Sequence, residues 1–129
     1  MARWRTATAL VAAVYLGTLA VNRSLVEVRG GSMEPTLWPG DRLLTVPARR
    51  AWLRTGRVVV VAEPGRPDHL VVKRLTRTSA DGLAPGRVEV LGDHAAASTD
   101  SRAWGPVPVD AVRRVVVRRW PDLRTRLHR

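Results

Sequence analysis

Of the 22 basic residues in this chain, Lys73 is the only lysine. It stands in the run HLVVKRL, where an amine offers something a guanidinium does not. Arginine keeps its proton inside a protein, whereas lysine gives it up when burial lowers its pKa. A neutral amine is a general base. On a strand, Val71, Lys73 and Leu75 share one face while Val72 and Arg74 take the other, so the amine emerges among aliphatic neighbours. Desolvation there disfavours the charged form. At the ordinary pKa near 10.4 only about one lysine in 2,500 is neutral at pH 7, and a depression of roughly three units removes most of that handicap.

Two loops offer partners for such a base. The first, GGSMEPTLWPGD, covers residues 30–41. Ser32 follows Gly30 and Gly31, which permit positive φ and close backbone approach, and Pro35 and Pro39 stiffen what comes after. Taken alone, a loop serine more often caps a turn than attacks a substrate, because its hydroxyl is a weak nucleophile until a base takes its proton. The second loop, GDHAAASTDSRAWGPVP, covers residues 92–108. It places Ser98, Asp100, Ser101 and Arg102 within five positions, with Asp100 and Arg102 spaced as an ion pair. The plainer reading is a polar turn held by its own side chains.

The elements that position these loops are strands. LVEVR (25–29), RLLTV (42–46), VVVVA (58–62), LVVKRL (70–75), VEVL (88–91) and VRRVVVRRW (112–120) are β-branched runs of strand length, separated by Gly, Pro, Asp and Ser clusters. They predict an all-β catalytic domain over residues 23–129. Residues 1–22 read differently. Thr6 to Asn22 carries no charge and no proline, and its 17 residues reach the lower limit for crossing a bilayer. A membrane anchor is the favoured reading, with a cleaved signal peptide and a buried helix as alternatives. Arg3 and Arg5 before it and Arg23 and Arg29 after it do not orient it. The C-terminal WPDLRTRLHR reads as a short basic helix or a fraying end.

Composition narrows the functional classes. At 129 residues there is room for one domain, and without phenylalanine its core must be aliphatic. Without cysteine there is no disulfide and no thiolate metal site. The net charge of +11 suits nucleic acid, anionic lipid or a solvated surface. No aromatic stacking platform accompanies the clustered Arg113, Arg114, Arg118, Arg119, Arg124, Arg126 and Arg129, so no nucleic-acid partner is expected. His69, His94 and His128 lack metal-ligand spacing. No nucleophile elbow surrounds Ser32, which argues against a Ser-His-Asp hydrolase.

With three boxes in this order (SMEPTL, VVKR and GD-S-DSR-WGPVP behind an N-terminal apolar segment), the chain resembles the type I signal peptidase family of Ser/Lys-dyad serine proteases. The resemblance implies Ser32 as nucleophile and Lys73 as general base, with Ser98 orienting the amine. It makes Asp100, Arg102, Asp93 and Arg74 supporting residues, and Met33 a candidate for the substrate pocket. The Ser32 N–H, on the Gly30–Gly31 approach, would stabilise the oxyanion; many relatives add a hydroxyl where this chain has Gly30. His94 departs from the family's asparagine, Thr55-Gly56-Arg57 from its acidic Gly-Asp pair, and LTRTSADG from its Gly-x-Pro-Gly-Asp turn. Only a minimal core fits between Lys73 and Gly92.

The function so implied is removal of N-terminal signal peptides or propeptides from exported preproteins, without cofactor or metal. The enzyme would be held by a single span in the plasma membrane, its catalytic domain on the extracytoplasmic side. Oligomeric state is left open. Dedicated maturation of one precursor, such as nickel superoxide dismutase, is an alternative. So is the self-cleaving repressor family, although that is cytosolic and carries a DNA-binding domain. A catalytically inactive basic membrane-surface module is the non-enzymatic alternative.

Overall fold

The computed structural model describes residues 7–16 and 24–123. Seven strands follow the valine-rich runs: β1 (Leu25–Glu27), β2 (Arg42–Pro47), β3 (Val58–Glu63), β4 (Arg66–Arg77), β5 (Arg87–Leu91), β6 (Val107–Pro108) and β7 (Val112–Trp120). They form one sheet in the order β1-β2-β7-β3-β4-β5-β6, antiparallel at every pairing. The all-β expectation therefore holds. β4 is longer than the LVVKRL run because a tight turn at Pro64 and Gly65 lets Arg66 pair back with Glu63. β6 has only two residues, too few to leave a periodic signal.

Breaks of register at Leu44/Thr45, Val60/Val61, Ala62/Glu63 and Leu75/Arg77 interrupt the ladders. Such bulges bend and twist a strand. The sheet buries side chains on both faces. Val59, Val61, Leu75, Val88, Val90, Val107, Val112 and Val115 form one apolar cluster. Val28, Met33, Leu37 and Leu43 form a second, against which Val58, Val72 and Val116 pack. Alternation along β3 and β4 thus sends Val59, Val71 and Leu75 to one side and Val58 and Val72 to the other. Burying each such side chain contributes about 1.5–3 kcal/mol, which makes this unbroken valine patterning the main source of cohesion.

Residues 7–16 are helical and exposed along their length. The remainder of the expected anchor, residues 1–6 and 17–22, lies outside the described residues. Among those described, no helix is long and apolar enough to cross a membrane. Most of the expected C-terminal basic helix also lies outside them.

Candidate active site

Lys73 sits on β4 opposite Val59 of β3, and its side chain is 3% exposed. Its position matches the alternation: Val71 and Leu75, two residues either way, pack into the first cluster. Burial pushes the amine below its ordinary value of 10.5; Asp100 partly opposes this and Arg102 adds to it. Lys73 Nζ donates to Ser98 Oγ at 2.8 Å.

Ser98 cannot return that proton. Its own hydroxyl donates to Asp100 Oδ2 at 2.6 Å, and an ionised carboxylate only accepts. The relay therefore runs Lys73 to Ser98 to Asp100. A neutral amine that spends one hydrogen on Ser98 has its lone pair directed elsewhere.

Asp100 is 1% exposed, and burial alone raises a carboxyl pKa. Hydrogen bonds from Arg102, Ser98 and Gly92 outweigh that and hold it well below the usual carboxylate range. Oδ1 accepts from Arg102 Nε at 3.0 Å and from the Arg102 N–H at 3.1 Å, while Arg102 Nη2 donates to Oδ2 at 2.6 Å. Asp100 is also the N-cap of the short helix Ser101–Trp104. The neighbouring Ser101 is structural: its Oγ accepts from Val90 N at 3.0 Å and anchors the helix to β5.

Ser32 reaches this cluster through its backbone. Its carbonyl accepts from His94 N at 2.8 Å. Gly92 makes the approach possible, since a Cβ there would fall 2.5 Å from Ser98 Cβ and 2.6 Å from Ser32 O. Gly30 adopts φ +72°, the left-handed conformation that glycine allows without strain. The hydroxyl and N–H of Ser32 have no hydrogen-bond partner among the described residues. The Lys73 amine thus bonds Ser98, not Ser32.

Arg74, on the opposite face of β4, grips Asp93 with two 2.8 Å bonds and donates a third, also 2.8 Å, to Gly56 O. The Arg74 bond holds the Asp93 carboxyl below its usual value, and the Thr36 side chain supports it from the serine loop. That loop is closed at its base, where Val28 N bonds Asp41 O and Gly40 N bonds Val28 O, both at 2.8 Å. Buried Asp41 accepts from Trp38 N and Asp122 N, and Arg119 Nε lies 2.9 Å from its Oδ2. Met33 is 1% exposed and packs with Val28, Leu37 and Leu43 beneath the loop, so it presents almost no surface to a substrate. His94 and Gly92 are the contacts that sequence reasoning missed. The one signal in the sequence was that His94 stands at the family's asparagine position in the run Gly92-Asp93-His94.

A buried amine joined through a hydroxyl to a paired carboxylate, beside a serine on a glycine-flanked loop, suits a proton-transfer site on a β-scaffold. A family model described as signal peptidase, peptidase S26, matches residues 1–78 and 75–120. Mitochondrial ATP-independent inner membrane protease subunit 1a of Arabidopsis thaliana is 34% identical over 119 residues, covering 76% of this chain and 71% of that protein. Mitochondrial inner membrane protease subunit 1 of Xenopus tropicalis is 32% identical, covering 71% and 66%. Its Homo sapiens counterpart is 28% identical, covering 75% and 69%. This chain belongs to the signal peptidase S26 family.

Proposed function

We propose that this chain is a membrane-associated serine endopeptidase that removes N-terminal signal peptides or propeptides from exported proteins. Ser32 is the nucleophile and Lys73 the general base. Residues 1–22 serve as the anchor and residues 23–129 as the catalytic domain, outside the cytoplasm at the bilayer surface. The names of its relatives, inner membrane proteases, support both the reaction class and the membrane setting.

The observation that carries this reading is the buried Lys73 amine, lowered in pKa and bonded to a serine whose proton is committed to Asp100. As Ser32 attacks the scissile carbonyl, Lys73 takes its proton and then gives it to the leaving amine. In the second half-reaction Lys73 activates water against the acyl-enzyme. The unpartnered Ser32 N–H stabilises the developing oxyanion. Gly30 and Gly31 add no side chain of their own to the approach, beside which the Glu34 carboxylate lies against Gly31. Attack requires the Ser32 hydroxyl to meet the lone pair of the amine, and catalytic hydrogen bonds of this kind tighten on substrate binding.

The test is cleavage of a panel of preproteins by wild type, Ser32→Ala and Lys73→Arg. Cleavage by the wild type alone is expected. Activity in Lys73→Arg, which keeps charge and stem but cannot deprotonate, sinks the assignment.

A further inference from the structure

His94 holds the serine loop at two consecutive carbonyls. Its N–H donates to Ser32 O at 2.8 Å, and its ring Nδ1 lies 3.3 Å from Gly31 O. A carbonyl oxygen only accepts, so the contact is a hydrogen bond in the imidazole form that carries a hydrogen on Nδ1. Gly31 O also receives the Glu34 N–H at 3.2 Å. Gly31 C=O and Ser32 N–H belong to one peptide plane and point in opposite directions when that bond is trans. Only Glu34-Pro35 is cis among the described residues. Fixing Gly31 O therefore fixes the aim of the Ser32 N–H on the far side. A donor on the carbonyl also polarises the whole amide and strengthens its N–H as a donor in turn.

We infer that His94 is a positioning residue that aims and polarises the Ser32 N–H as the oxyanion donor, by hydrogen bonding to the Gly31 carbonyl of the same peptide group. The inference rests on the serine-protease reading above. The ring contact and the backbone contact of His94 are separable, because any substitution other than proline keeps the backbone N–H to Ser32 O. The side chain is exposed, so its replacement leaves the core intact. An asparagine amide places a donor near the position of Nδ1, whereas leucine matches its volume with no donor.

The experiment compares wild type, His94→Asn, His94→Leu and His94→Ala for kcat and KM on a cleavable peptide, for the affinity of a peptide boronate, and for Tm. The boronate forms a tetrahedral adduct and so reads oxyanion stabilisation directly. His94→Asn should stay within about twofold of wild type. His94→Leu and His94→Ala should lose about tenfold in kcat at unchanged KM, less than the roughly hundredfold or greater cost of deleting an oxyanion donor itself. Boronate affinity should fall by the same factor while Tm holds. Wild-type kcat and boronate affinity in His94→Leu and His94→Ala overturn the inference, as does a loss that only tracks Tm. If the wild type cleaves nothing, or Ser32→Ala remains active, the protease reading itself fails and takes this inference with it.

Discussion

Lys73 Nζ donates to Ser98 Oγ across 2.8 Å, and Ser98 in turn donates to Asp100 across 2.6 Å. The direction of this chain is set at its end, where a carboxylate that arginine keeps ionised can only receive. An amine so placed is turned, fixed and desolvated before any substrate arrives. That is the condition under which a lysine serves as a base near neutral pH.

The depressed pKa of Lys73 makes a signed prediction for rate. Activity requires the neutral amine, so kcat/KM should rise with pH along an acid limb whose midpoint lies below 10.5. A pH–rate profile with no such limb, or one falling as pH rises through neutrality, contradicts the role of base.

The same group predicts a gain in stability on its loss. Below both the folded and the unfolded pKa the amine is charged in either state, and its burial is fully unfavourable. That penalty fades as pH rises through the folded value toward 10.5. Lys73→Met should therefore abolish cleavage while raising Tm near pH 7 by on the order of a few degrees. The difference should shrink in alkaline buffer. Thermal unfolding at pH 6, 8 and 10 measures it.

Ser98→Ala removes the acceptor that orients the amine but leaves its burial unchanged. The expected result is a loss of roughly 10- to 100-fold in kcat with little change in KM, as for other groups that support a general base. Steady-state kinetics on a peptide substrate, with Tm as a control for folding, decide it.

Asp100 predicts the acid side of the stability curve. Although burial opposes its ionisation, its folded pKa lies below the ordinary 3.8 because of the bonds from Arg102, Ser98 and Gly92. Its stabilising contribution is present above about pH 3.8 and is lost as pH falls toward the folded value. Asp100→Ala should cost about 1–3 kcal/mol at neutral pH, since it leaves the Gly92 N–H buried without an acceptor, while the exposed Arg102 stays solvated. It should also flatten the fall in stability below pH 4. Urea titrations across pH 3–7 report both.

Gly92→Ala should damage the site from a position that bears no functional group. Its Cβ would press on Ser98 Cβ and on the Ser32 carbonyl, each within 2.6 Å. A cost of about 1–3 kcal/mol is typical of such overpacking. Cleavage should fall with it, because serine and lysine are held together through this contact. Unchanged stability and activity would show that the loop yields without consequence.

Much of this architecture was legible in the sequence because it rests on local periodicity. The runs at 58–62 and 112–120 became β3 and β7. The shared face of Val71, Lys73 and Leu75 followed from strand alternation. The Asp100–Arg102 pair was readable from a spacing of two. What stayed hidden depends on chain segments far apart. The approach of Gly92 to Ser32 spans sixty positions, and no local pattern encodes it. The burial of Met33 was hidden for the same reason, since its neighbours Val28, just past β1, and Leu43, in β2, meet it only in the folded chain. The grip of His94 on the serine loop is likewise set by tertiary contact alone.

The closed base of the serine loop has a mechanical consequence. Any pull arriving from the N-terminal segment enters the sheet at Leu25 and is shared with β2 through the pairings of Leu25, Val26 and Glu27. It then meets the mutual bonds of Val28 with Gly40 and Asp41, which load the two ends of the loop against each other. The force path short-circuits there, four residues before Ser32. A load applied ahead of β1 is thereby diverted before it reaches the serine.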